Sequence, residues 1–190
     1  MRDGSTLFSV GIFYGSSTCY TEIAAEKIAH EIEKTLKNKD LKENFSVSIF
    51  NTKETPLQKI EEFDCLILGI STWDFGEIQE DWLKQWHEIG NLKLDNKIVS
   101  LFGLGDQEGY GNWFLDAMGL LYNQLNQFVI HWCGFWPTDG YNFTSVLPIT
   151  EDKQLFVGLA LDDDSQYELT DQRIEKWSEQ VVSEWLDILA

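Results

Sequence analysis

Short apolar runs alternate with longer amphipathic stretches along this chain, and the apolar runs have no polar face. DCLILGI (64–70) is the clearest case, with Leu66, Ile67, Leu68 and Ile70 in one unbroken block. A strand that is apolar on both faces must be covered on both, so the pattern predicts a parallel sheet between two layers of helix. Strands are expected at 7–14, 45–50, 64–70, 97–103 and 128–135. Helices are expected at 18–36, with Ile23, Ala24, Ile28 and Ile32 on one face, at 77–89, at 111–125, and from an N-cap at Thr170 to residue 189. The rhythm breaks once, at PTDGYNFTSVLPITEDKQ (137–154), before LFVGLAL reads as strand again. A polar excursion of that length is a structured or functional insertion, and here it splits the fifth strand in two. The 190 residues suit one domain over 1–190, with residues 1–5 as an unstructured lead-in.

Charge narrows the function classes. The net charge is −18. Residues 1–60 hold 8 basic and 8 acidic side chains, whereas 61–190 hold 6 basic and 24 acidic, so the second part carries the whole imbalance. That field repels nucleic acid and anionic membrane and steers the protein toward a basic partner. Apolar runs such as 66–70 are too short to span a bilayer, and SVGIFYG at the start does not read as a cleavable signal. Cys19, Cys65 and Cys133 are scattered, with no CxxC pair. Free thiols in a reduced cytoplasm are expected, with neither a disulfide framework nor a metal site.

In an open parallel sheet, ligands sit beyond the carboxyl ends of the strands. Three strand-end loops are rich in chemistry. The first, GSSTCYT (15–21), offers Ser16, Ser17, Thr18, Tyr20 and Thr21 around Cys19 where the first helix begins. Free N–H groups at a helix N-terminus bind anions, and hydroxyls add donors. The loop has no lysine and is neither GxxxxGKS/T nor GxGxxG, so it suits a single terminal phosphate held by hydrogen bonds alone. N-capping would need only one of these hydroxyls. The second, STWDFGEIQEDW (71–82), places Trp73 in a loop. The third, GLGDQEGYGNWF (103–114), has four glycines and carries Tyr110 and Trp113. Aromatics from two adjacent loops can sandwich a flat ring. Trp82, Trp86, Trp132 and Trp177 are assigned to packing. His30, His87 and His131 show no triad or metal spacing, so no catalytic residue is assigned.

Together with QLFVGLALDDDSQYELT, these three motifs resemble the long-chain flavodoxins over residues 7–187, in order and spacing, and most resemble the enterobacterial flavodoxin 2 type. The resemblance implies a flavodoxin-like three-layer α/β sandwich with strand order 2-1-3-4-5 and non-covalently bound FMN. Ser16, Ser17, Thr18, Cys19, Tyr20 and Thr21 would surround the phosphate. Trp73 would stack on the inner face of the isoalloxazine and Tyr110 on the outer. Ser71, Thr72, Asp74, Phe75 and Gly76 would border the N5 edge, where the Asp74–Phe75 peptide flips in the family's semiquinone. Asp106 and the backbone of 103–111, including Gly103, Leu104 and Gly105, would meet the pyrimidine side, and Trp113 would also contact the cofactor. The sequence departs from the family at Cys19, where glycine is usual.

The resemblance further implies a low-potential one-electron carrier that takes electrons from a basic NADPH-dependent flavodoxin reductase and passes them to redox enzymes through transient contacts, as a monomer. Carboxylates at 74, 77, 80, 81, 106, 108 and 116 would resist the second electron. The enzyme alternative is a quinone or azo reductase of the same fold using NAD(P)H directly, and Tyr110 over the outer face argues against it. A receiver domain of the same topology needs a phosphoacceptor aspartate at the end of the third strand, where Ser71–Thr72–Trp73 stand instead.

Overall fold

The computed structural model describes residues 7–190, so the lead-in expected at 1–5 lies outside the described residues. Its main strands are β1 (Phe8–Tyr14), β2 (Phe45–Asn51), β3 (Cys65–Trp73) and β5 (Ile98–Leu104), which pair in parallel in the order β2-β1-β3-β5. Beyond β5 the fifth position is filled twice. β6 (His131–Cys133) pairs with Ile98–Ser100, and β9 (Leu159–Leu161) pairs with Phe102–Leu104. The excursion does split the fifth strand. It folds back through a two-stranded ribbon in which β7 (Trp136–Pro137) pairs with β8 (Leu155–Phe156).

Side-chain alternation along each strand sorts the core into two layers. Val10, Ile12, Ile67 and Phe102 face α1 (Tyr20–Asn38) and α4 (Tyr167–Leu189), together with the fully buried Trp177 and Trp185. Phe13, Leu66, Leu68 and Leu101 face the other way, onto α3 (Asp116–Leu125) and Trp82. Each such large apolar side chain contributes roughly 1.5–3 kcal/mol when removed from water. Both layers draw on the uninterrupted apolar runs, which is why the sequence reads as a doubly covered sheet.

Four element boundaries differ from expectation. The helix expected at 77–89 is broken up. Glu77–Ile78 forms a short strand, β4, antiparallel to Thr72–Trp73; α2 covers only Glu80–Gln85, and Trp86–Asn91 is a 3-10 turn. The reason is Gln79, whose buried side-chain oxygen accepts from the N–H groups of Asp81 and Trp82 and so starts the helix there. The helix expected from 111 begins at Asp116, because Leu115 is left-handed (φ 59°) and residues 107–115 run in turns. The strand expected over 128–135 shrinks to three residues, ended by Gly134 at φ 76°. α4 begins at Tyr167, and Thr170 is an interior, buried residue whose hydroxyl donates to Asp163 (2.5 Å).

Trp82 and Trp177 fill the core as expected, each donating its indole N–H to a glycine carbonyl, Gly69 and Gly134 respectively. Gly158, just before β9, lies so close to β5 that a Cβ would sit 2.4 Å from the Leu101 carbonyl oxygen. The obstacle is backbone inside the sheet and cannot swing away. Gly158→Ala should therefore destabilise the fold by about 2 kcal/mol, within the range for overpacking, as read by urea denaturation.

Candidate functional site at the carboxyl edge of the sheet

A cavity of about 370 Å³ opens at the carboxyl end of the sheet. Its walls come from four segments. Thr18, Tyr20 and Thr21 enter from the loop after β1; Ser71, Thr72, Trp73 and Asp74 from the end of β3. Leu104, Gly105, Asp106, Tyr110, Trp113 and Phe114 come from the stretch after β5, and Asp163 and Asp164 from the turn after β9. Phe114, Asp163 and Asp164 are not among the residues expected here from the sequence. LFVGLAL reads as the second half of the fifth strand, and the strand-end rule reaches the two aspartates once the DDD that follows it is taken as a strand-end loop of its own.

The hydroxyl loop is braced from behind. Gly15 has no room for a side chain, since a Cβ would come within 2.1 Å of the Gln79 side-chain oxygen. Gln79 is itself fully buried, and its Nε2 donates to Ser17 Oγ (3.1 Å) and to Asp81 (2.9 Å). Ser16 Oγ is buried with no hydrogen-bond partner. A buried hydroxyl without a partner costs free energy, and an anion held in this loop would satisfy it. Ser16, Ser17 and Cys19 thus shape the loop without lining the cavity. Cys19 is exposed and left-handed, at φ 69° and ψ −9°, immediately before α1. This is a glycine-like conformation carried by a residue with a Cβ.

Trp73 lies half-buried along the cavity, its indole N–H donating to Ser71 Oγ (3.0 Å). Tyr110 is 40% exposed and follows a turn in which Asp106 Oδ1 accepts from the N–H groups of Glu108 and Gly109. Phe75 is 68% exposed and does not border the cavity. It packs edge-on against Tyr110 and Trp113, with ring centres 6.3 and 5.1 Å away. Gly76 (φ 90°) faces Asp116 and Trp113, and Gly103 packs against Leu115 and Met118, so neither lines the cavity.

Charge at the site is one-sided. Asp74, Asp106, Asp163 and Asp164 border the cavity with no basic side chain among its lining residues. Burial, then the neighbouring Asp106, Asp162 and Asp163, push the Asp164 carboxyl above the usual range. Among the described residues no cluster of His, Cys, Asp and Glu has the form of a metal site, and no helix is long and apolar enough to cross a membrane.

These features define a doubly wound α/β protein with its ligand cleft at the strand ends, framed by a hydroxyl loop and two aromatic loops. The flavodoxin family profile matches residues 12–177. Flavodoxin 2 of Escherichia coli K12 is 52% identical over 176 residues, 93% of this chain and 96% of the relative. A flavodoxin of Nostoc sp. PCC 7120 is 37% identical over 93% of this chain and 96% of its own. Among solved structures, the flavodoxin of Fusobacterium nucleatum bound to flavin mononucleotide superposes with a TM-score of 0.78 at 31% identity, covering 94% of this chain and 99% of that one. The chain belongs to the flavodoxin family.

The left-handed backbone at Cys19 leads to a direct test. A side chain there costs about 1–2 kcal/mol, and glycine would regain that less its own 0.5–1 kcal/mol of extra unfolded-state entropy. Cys19→Gly should stabilise the protein by roughly 0.5–1 kcal/mol in urea denaturation, while a β-branched Cys19→Val should destabilise it by about as much.

Proposed function

We propose that the cleft binds FMN non-covalently and that the protein is a low-potential one-electron carrier working in the cytoplasm as a monomer, with residues 1–190 as one FMN-binding domain. Flavodoxins are electron-transfer proteins rather than enzymes. The observation that carries the reading is the meeting of Trp73, Tyr110 and the hydroxyl loop at one cavity of ligand size. The unpartnered Ser16 hydroxyl and the cation-free loop fit a phosphate held by hydrogen bonds. Ser16, Ser17, Thr18, Tyr20 and Thr21 would hold that phosphate, with N–H groups at the start of α1. Trp73 and Tyr110 would enclose the ring. The 72–76 backbone would meet its N5 edge, and Asp106 with the 103–111 backbone its pyrimidine side.

When bound, FMN supplies two one-electron steps, and the carrier would cycle between semiquinone and hydroquinone. This chain's residues separate those steps. The aromatic pair keeps water from the ring, so added negative charge is poorly solvated. The carboxylates bordering the cavity repel it further. One such charge about 12 Å away, at an effective dielectric near 40, costs about 0.7 kcal/mol, which is about 30 mV for one electron. The same acidic rim suits a basic NADPH-dependent reductase as donor and basic faces on acceptor redox enzymes.

An anaerobic reductive titration of the FMN-loaded protein tests this reading. A long-wavelength absorbance band should rise and then fall as a neutral semiquinone forms and is consumed. Bleaching with no intermediate would instead indicate a two-electron quinone or azo reductase. Asp163→Asn and Asp164→Asn should each raise the potential of the second step by about 30 mV at low salt, with the shift shrinking as ionic strength rises.

A further inference from the structure

Asp116, read from the sequence as one of the carboxylates around the site, is buried and does not line the cavity. It is 6% exposed, and burial holds its carboxyl above the usual range. Among the described residues no lysine, arginine or histidine pairs with it. A buried acid without a counter-cation is retained against its desolvation cost, which calls for a reason.

Its two oxygens face different segments. Oδ1 accepts a hydrogen bond from the hydroxyl of Ser145, a buried residue in the 137–153 excursion. Oδ2 lies against the backbone of Gly76, where a Cβ would be only 2.9 Å from it. The surrounding contacts keep this geometry tight. α3 begins at Asp116, and its next N–H, that of Ala117, donates to Thr72 Oγ1 (3.1 Å) at the end of β3. The Ser145 N–H donates to the Gly111 carbonyl (3.2 Å). Gly119 fits under the excursion so closely that a Cβ there would meet the Leu147 carbonyl at 2.3 Å. Meanwhile the segment 74–76 is held at positive φ at both ends, 42° at Asp74 and 90° at Gly76, and Asp74 borders the cavity.

We propose that Asp116 is a positioning residue through which the 137–153 excursion fixes the conformation of the 74–76 loop, and with it the potential of the bound flavin. The excursion, far along the chain from the cavity loops, acts on the site through one carboxylate. The potential part of this inference rests on the FMN reading; the conformational part does not.

The test compares Ser145→Ala, Ser145→Thr and Asp116→Asn. Ser145 does not line the cavity; its hydroxyl donates to Asp116 and accepts from the Leu147 N–H within the excursion, so its link toward the cavity loops runs through Asp116. In the apoprotein, Ser145→Ala should speed amide hydrogen exchange at 74–77 about tenfold, the effect of one lost buried hydrogen bond. Ser145→Thr, which keeps the hydroxyl, should restore the native rate. In the FMN-loaded protein, Ser145→Ala should lower the maximal yield of half-reduced flavin, and Asp116→Asn should shift the one-electron potentials while leaving exchange at 144–147 close to native. Faster exchange confined to 144–147, or unchanged exchange at 74–77, would overturn the proposal. If Ser145→Ala does not fold, Asp116→Asn with native exchange at 74–77 and native potentials overturns it equally. Failure of the native protein to take up FMN would count against the function proposed above, and the apoprotein exchange would still decide the coupling.

Discussion

The carboxyl edge of this sheet is held together by the buried carboxylate of Asp162. It is fully inaccessible and accepts hydrogen bonds from the N–H groups of Gln107, Asp164 and Ser165, from the Gln107 side-chain amide and from the Ser165 hydroxyl. Five donors replace the water that a charge at this position would otherwise lose, which is how an acid can be buried without a cation. The consequences spread outward. Gln107 is fixed, and its own oxygen accepts from the Asn142 N–H (2.6 Å), so the excursion is tied to the Tyr110 loop. The turn after β9 is fixed as well, and Asp163 and Asp164 are delivered to the cavity. Asp162 is thus the point at which the Tyr110 loop is joined to the turn after β9.

Backbone strain gathers around the same cleft. Of the positive-φ residues other than glycine among the described residues, Cys19, Asp74 and Leu115 each stand in or directly beside a cavity loop. Such conformations persist only where surrounding contacts over-determine them. Here those contacts are visible: Gln79 behind the hydroxyl loop, Asp116 behind the 74–76 loop, and Thr72 on the first turn of α3. Two of these supports, Gln79 and Asp116, are buried polar side chains that do not line the cavity, whereas Thr72 is half-buried and forms part of its wall.

This two-layered arrangement explains what could be read from the sequence. Leu66–Leu68 and Leu101–Phe102 announce buried strands because their apolar character is local and continuous. The hydroxyl and aromatic loops are equally legible, since their chemistry lies in consecutive residues and the sheet topology says where strand ends meet. The supports are not legible in that way. Gln79, Asp116 and Asp162 look like ordinary surface polar residues in helical or acidic stretches, and only their long-range partners reveal them as buried. The misplaced helix starts follow from the same blindness, because Gln79 caps α2 and Leu115 turns the chain into α3 through geometry that periodicity does not encode. The split fifth strand was readable because an insertion announces itself by composition, whereas its tie to the site through Ser145 depends on one hydroxyl.

The distribution of charge completes the picture. Among the described residues, four lysines form ion pairs, none of them with a cavity-lining acid: Lys27 with Asp171, Lys34 with Glu31 and Glu175, Lys59 with Glu62, and Lys84 with Asp81. Among the described residues, Asp74, Glu77, Asp106, Glu108, Asp163 and Asp164 form no ion pair. Exposed pairs of this kind add little to stability, about 0–1 kcal/mol each, so their placement matters more for where charge is left uncancelled than for how firmly the helices are held. The unpaired carboxylates around the cavity oppose any anion that enters it. A ligand with a phosphate must then be held by directional hydrogen bonds and ring contact strong enough to outweigh that repulsion. Once it is held, the same repulsion acts on every further negative charge the ligand acquires. On the proposed FMN reading, binding and resistance to reduction would be set by separate parts of one site, the hydroxyl and aromatic loops for the first and the unpaired rim for the second.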